Sequence, residues 1–193
     1  MLKRGFDIVA AFFGLVLLIP LILLFAVLIK VRMPGKVFFV QERAGKNGKI
    51  FRLIKFRTMV ENHSGTVITV KGDNRITPLG AWLRKYKLDE LPELWNVLKG
   101  DMSFVGPRPD VPEYADKLKG EERLILTMRP GITGPATLKY ADEEGILASV
   151  DDPVKYNDEV IFPDKVKINM DYLRTHSLPG DISLILKTVF RKY

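Results

Sequence analysis

The chain has 193 residues, enough for one domain with its own hydrophobic core, and carries a formal net charge of +7. That charge favours an anionic partner, whether phospholipid, nucleotide or nucleic acid. There is no cysteine, which excludes disulfides and thiolate metal sites and fits a reducing compartment.

The two histidines, His63 and His176, lie far apart without metal-ligand spacing. Zinc hydrolysis and a Ser-His-Asp triad therefore start without support. The sequence holds no GxGxxG, Walker loop or tandem repeat. The triplet Asn62, His63, Ser64 matches a glycosylation acceptor, a fortuitous match if this region faces the cytosol.

Residues 8–29 are apolar throughout apart from Gly14 and Pro20. A straight helix over this stretch reaches about 33 Å, enough to cross a hydrocarbon core. Two features argue against simple crossing. Lys3 and Arg4 precede the run and Lys30 and Arg32 follow it, so the positive-inside tendency pulls both ends towards the cytoplasm. Pro20 removes one backbone hydrogen bond near the middle, and the two halves, about 18 Å and about 14 Å long, are each too short to span. A helix that enters, bends and returns satisfies both observations; a kinked span satisfies the second alone.

Residues 37–41 and 50–56 read as strands around the turn signal at 45–48, Gly-Lys-Asn-Gly. Lys46 and Lys49 belong to a solvated hairpin end. Alternation predicts that Lys55 and Arg57 share one strand face, where they can address a diphosphate together. Residues 61–74 are polar and read as a loop with a short strand at 66–70. A helix is expected over 76–88, with Trp82, Leu83 and Tyr86 on one face and cations elsewhere, suited to the headgroup level or to core packing. Ile182, Ile185, Leu186, Val189 and Phe190 follow helical spacing, with Lys187, Arg191 and Lys192 on other faces.

The densest signal is KLDELPELWNVLKGDMSFVGPRP at 87–109. Asp89 and Glu90 precede Pro92, which is at home in a first helical turn, where backbone amides favour anions. Arg108 can fork onto phosphate oxygens, and Asp101 can organise the turn. Alone, an Asp-Glu pair before a helix is a cap; with Arg108 and Lys55 it suits phosphate or pyrophosphate. Two anions that must meet call for a divalent cation, and Mg²⁺ suits carboxylate and phosphate oxygens without a protein-only cage.

This segment, together with KFRTM at 55–59 and RPGITG at 129–134, resembles the bacterial sugar transferases, the monotopic polyprenyl-phosphate phosphoglycosyl transferases. The resemblance covers nearly the whole chain and is densest over 55–134. It implies a helix-rich α+β fold: a re-entrant membrane helix over 1–34, then a compact catalytic domain over 35–193 with a small β-hairpin and interfacial amphipathic helices. It implies that Asp89 attacks a UDP-sugar and expels UMP, and that a polyprenyl (undecaprenyl) phosphate takes the phosphosugar. Glu90 serves as metal ligand or handles a proton, Lys55, Arg57, Arg108 and Arg129 bind phosphate, and Mg²⁺ sits on Asp89 and Glu90. The expected place is the cytoplasmic face of the bacterial inner membrane, among phospholipids, without nucleic acid; a homo-oligomer is left open.

Three departures stand out. Relatives often have Ser before the helix proline, where this chain has Ile19. After Gly134 a different segment runs over 135–146, which puts Lys139, Asp142 and Glu143 forward for a sugar pocket. Where relatives carry an Asp near the C-terminus, gap-free register offers Asn169, with Asp171 two positions later. The competing readings are a UDP-releasing membrane glycosyltransferase and a basic membrane-tethered binding module, the latter leaving the Asp-Glu pair unexplained because carboxylates repel such ligands.

Overall fold

The structure, a computed structural model, describes residues 2–60, 69–70 and 72–190. The triplet at 62–64, most of the strand expected at 66–70, and Arg191 and Lys192 lie outside the described residues. The fold is helix-rich α+β, as expected, with two small two-stranded sheets.

The first helix, α1 (Leu2–Arg32), is continuous through Pro20. Its 31 residues extend roughly 46 Å. It touches the domain near both ends. Towards its start Ala11 packs with Phe51, Leu53, Val97 and Met102. Towards its end Phe25, Ile29 and Met33 pack with Phe56 and Leu83. Between them Val16, Leu17, Ile19 and Leu23 are exposed. Polar groups fasten the first end. Arg4 donates to the Val97 and Leu98 carbonyls at 2.7 and 3.0 Å, placing a cation on a helix C-terminus. Asp7, the one acidic residue of α1 and 2 % exposed, accepts from Ser103 Oγ and Phe104 N, each at 3.1 Å. Lys3 pairs with buried Asp181.

Strands β1 (Phe38–Ala44) and β2 (Ile50–Phe56) form an antiparallel hairpin with Val40 opposite Ile54 and Phe39 opposite Lys55. The turn is the expected one, with Asn47 and Gly48 left-handed at φ 58° and 74°; β1 runs three residues further than its apolar pattern indicates because Glu42 and Arg43 continue the ladder on a solvated edge. Helix α2 (Pro78–Lys85) opens on Thr77, whose Oγ1 accepts from Gly80 N at 3.0 Å. Leu83 is core, whereas Trp82 and Tyr86 stay half exposed and meet edge to face. Expected as one face, these three divide: Leu83 is buried in the core with Phe56 and α1, Trp82 meets Phe25 of α1 edge to face while staying half exposed, and Tyr86 packs on Trp82.

A 3₁₀ turn over Leu88–Glu90 leads into α3 (Glu93–Lys99), closed by left-handed Gly100. Asn96, 1 % exposed, extends the hairpin with its side chain: Nδ2 donates to Arg52 O at 2.8 Å and Oδ1 accepts from Ile54 N at 3.1 Å. α3 is thereby held in register against β2. The parallel pair β3 (Ser103–Val105) and β4 (Gly131–Thr133) follows. Beside it the chain passes so close that a Cβ on Gly106 would lie 2.4 Å from Arg129 O, which fixes the path of the Gly-Pro-Arg-Pro turn. The remainder is short helices, α4 (Pro112–Ala115), α5 (Pro135–Lys139), α6 (Glu143–Ala148) and α7 (Pro153–Tyr156), and two longer ones, α8 (Phe162–Thr175) and α9 (Leu178–Val189). A third core of Leu118, Ile125 and Val166 holds α8 on the domain.

Candidate active site

Lys87 adopts the left-handed region at φ 55°, uncommon for a residue with a Cβ. The chain turns sharply there and carries Asp89 and Glu90 inwards, to 6 % and 8 % exposure. Pro92 stands immediately before α3, where a missing N–H costs nothing. Glu93, on the first turn of α3, is 2 % exposed. Three carboxylates therefore converge in a space that water barely reaches.

Two cations answer them. Lys55 Nζ lies 2.8 Å from Glu90 Oε1 and 3.2 Å from Glu93 Oε1. Arg108 donates to the same Glu90 oxygen at 2.6 Å. Burial works against the charge on Glu90, but Arg108 and Lys55 outweigh it and hold the carboxyl well below the usual range. Arg108 is correspondingly pushed up, chiefly by Glu90. Glu93 goes the other way: burial lifts it to about 7 despite Lys55. Asp89 is also raised, by burial and then by the Glu90 charge. Its Oδ1 is buried without a hydrogen-bond partner. A buried polar atom left unpaired costs roughly 1–3 kcal/mol, more when charged, so Asp89 is held in a state that a ligand would relieve.

Around this cluster Arg84 pairs with Glu144 on α6 and reaches Thr58 Oγ1 at 3.4 Å. Arg43 donates to Pro109 O at 3.0 Å and to Gln41 Oε1 at 2.6 Å, bracing the turn that presents Arg108. Among the described residues no group of three or more His, Cys, Asp or Glu side chains is set up to cage a metal. A cation that takes few protein oxygens and several from phosphate and water fits the donor set nonetheless, because Asp89 Oδ1 stands unengaged while Glu90 Oε1 already holds two cations.

Of the residues the sequence singles out, Asp89, Glu90, Lys55 and Arg108 come together. Arg57, Arg129 and Asp171 do not join them. The expectation that Lys55 and Arg57 share a strand face fails because β2 ends at Phe56. Arg57 is buried and donates to the Met33 and Pro34 carbonyls, neutralising the C-terminal end of α1. Arg129 donates to Gly100 O at 2.9 Å and braces the turn after α3. Asp171 is exposed on α8, whereas Asn169 and Tyr172 form the buried face of that helix. In the divergent segment, Lys139 pairs with Asp164 at 2.6 Å and Glu143 with Lys165 at 2.6 Å; Glu143 also contributes to the field at Arg108. Sequence reasoning missed Glu93 and Asn96. The signal for Glu93 was its position three residues after Glu90, one helical turn on. Asn96 gave none, since its partners are backbone groups of a distant strand.

The domain thus joins a helix long and apolar enough to cross a membrane, little of it buried, to a buried carboxylate cluster that holds two cations. The sequence matches the family described as bacterial sugar transferase over residues 1–192, and the chain belongs to that family. It is 39% identical, over 97% of its length, to a UDP-N-acetylgalactosamine-undecaprenyl-phosphate N-acetylgalactosaminephosphotransferase of Aeromonas hydrophila, of which it covers 43%. It is 36% identical, over 97% of its length, to a UDP-glucose:undecaprenyl-phosphate glucose-1-phosphate transferase of Caulobacter vibrioides, covering 68% of that protein. With the exopolysaccharide production protein PSS of Rhizobium leguminosarum it shares 38% identity over 97% of its length and 93% of the relative. The chain thus spans less than half of the Aeromonas protein and nearly all of the Rhizobium one.

Proposed function

We propose that this protein transfers a sugar-1-phosphate from a UDP-sugar to a polyprenyl phosphate of the undecaprenyl type, an opening step in building a polysaccharide on a lipid. The observation that carries this reading is the buried, unpartnered Asp89 Oδ1 beside a Glu90 already saturated by Lys55 and Arg108. One carboxylate is spent on holding cations and the other is left to react. Asp89 attacks the sugar-bearing phosphorus, the bond to the bridging oxygen breaks, and UMP leaves with that oxygen. A phosphate oxygen of the lipid then attacks the same phosphorus, and the carboxylate departs unchanged. Lys55 and Arg108 neutralise the charge of the incoming diphosphate. Mg²⁺, bound through Asp89 and substrate oxygens, would mask the repulsion between the two anions.

The relatives' names pair the acceptor with different sugars, N-acetylgalactosamine in one and glucose in another, so family membership leaves the sugar to experiment. Attachment of both ends of α1 to one domain, with basic residues at each end of the apolar run, supports the reading of a re-entrant helix with the domain on the cytoplasmic side. Ile182, Leu186, Val189 and Phe190 stay exposed along one side of α9 and supply a second apolar face at the interface. The test is to incubate full-length protein with Mg²⁺, undecaprenyl phosphate and a panel of UDP-sugars, and to assay UMP against UDP. UMP release, lost in Asp89→Asn, is expected. UDP release would overturn the reading in favour of an ordinary glycosyltransferase.

A further inference from the structure

Between the middle of α1, the hairpin and α3 lies an open apolar groove of about 330 Å³. Leu15 and Ile22 of α1 form the roof, Val40 and Ile54 of the hairpin the floor, and Pro92 and Trp95 of α3 the end wall. No charged side chain lines it. The space is of the size that holds part of a small-molecule ligand, and in water such a wall would be a liability.

Two features tie the groove to the carboxylate cluster. Ile54 is followed by Lys55, and consecutive strand residues point to opposite faces, so groove and cluster lie on the two sides of one thin wall. Pro92, at the groove's end, sits between Glu90 and Glu93 in the chain. A ligand that fills the groove and turns past Pro92 presents its far end to Lys55 and Arg108. It must be apolar along its length and anionic at that end.

We propose that this groove receives the first isoprene units of the lipid acceptor, seating its phosphate at Lys55 and Arg108 while the rest of the chain lies in the bilayer. The inference rests on the transfer reaction proposed above. Charge complementarity selects the occupant: a hydrocarbon wall meets a cationic end, which fits a prenyl monophosphate. A bulk phospholipid would place its glycerol ester groups against Ile54 and Val40, where they find no hydrogen-bond donor.

The test uses full-length protein in phosphatidylglycerol and phosphatidylethanolamine vesicles, with UMP release in the absence of acceptor as the internal standard. Val40→Trp fills the groove and Trp95→Ala removes its end wall. Both are expected to raise the KM for undecaprenyl phosphate tenfold or more, with the acceptor-independent burst of UMP unchanged. No burst from the unsubstituted protein would count against the transfer reaction itself; a normal burst with an unchanged acceptor KM in both variants would overturn the groove alone. A measurement on unsubstituted protein guards against misfolding: a diazirine-bearing farnesyl phosphate is expected to label the peptides containing Val40, Ile54 or Trp95. Labelling elsewhere, or labelling competed equally well by added phosphatidylglycerol, would overturn the proposal.

Discussion

Among the described residues, two places bury more than one acidic side chain, and they treat them in opposite ways. Near the start of α1, Asp7 and Asp181 are 2 % and 1 % exposed. Asp7 has Ser103 Oγ and Phe104 N, and Asp181 has Lys3 and the Tyr172 hydroxyl, the last at 2.5 Å. At the centre of the domain, Asp89, Glu90 and Glu93 are buried almost as deeply, yet Lys55 bridges Glu90 and Glu93, Arg108 pairs with Glu90, and Asp89 Oδ1 has no hydrogen-bond partner. Satisfied polar groups specify how a helix docks. Unsatisfied ones persist where something must bind. The first cluster is built as a fastening; the second is the candidate site on which the proposed function rests.

The largest expected effect separates them most sharply. Asp89→Asn should reduce turnover by on the order of 10³-fold or more, as loss of an attacking group does in comparable enzymes. Its melting temperature should hold or rise, because an unpaired buried carboxylate is replaced by a neutral amide. Thermal unfolding measured beside UMP release checks both. Lys55→Met should be costly in both respects. Removing the shared ammonium takes Glu93's ion pair away and leaves Glu90 with Arg108, and breaking such a buried pair costs on the order of 3 kcal/mol, visible as a lower urea midpoint. If Lys55→Met proves neutral to stability, the second cluster is less strained than described.

Much of this contrast was readable in the sequence, and the remainder has a physical reason for being hidden. The hairpin showed through its turn chemistry and α1 through its apolar run, both local signals. Asp89, Glu90 and Arg108 showed because they sit in one continuous motif. Arg57 was misplaced because strand alternation was extended one residue past the end of β2, and the carbonyl end of α1 that claims it is remote in sequence. The Asp7 fastening was invisible for the same reason: Ser103 lies far along the chain, and a lone Asp in an apolar run gives no hint of its partner. Register set by Asn96 against β2 is likewise a tertiary fact.

The fastening supplies a smaller effect of the opposite kind. Asp7→Ala leaves Ser103 Oγ and Phe104 N buried without an acceptor, at roughly 1–3 kcal/mol. The acceptor-independent UMP burst per folded molecule should stay unchanged, since neither group belongs to the carboxylate cluster. A lost burst in a folded Asp7→Ala protein would join the two regions functionally and erase the distinction between them.

The finest discrimination comes from pH. Glu93, raised to about 7 from an ordinary 4.5, keeps its proton in the folded protein where the unfolded chain releases it. Between about 4.5 and about 7 its effect is therefore a stability that falls as pH rises, by at most about 1.4 kcal/mol per pH unit. Asp89, raised as well, acts with the same sign. Glu90 is depressed, so its pairing stabilises the fold above its ordinary pKa and is lost as pH falls further. The two signs occupy different windows, and Glu93→Gln should flatten only the upper one. Followed from pH 4.5 to 8, the urea midpoint of the unsubstituted protein should fall progressively relative to that of Glu93→Gln as pH rises to about 7, the two curves running parallel above it. Parallel curves throughout would mean that Glu93 is ionised across the range, with Lys55 fully neutralising it, and the central cluster would then be satisfied like the one at α1 except at Asp89.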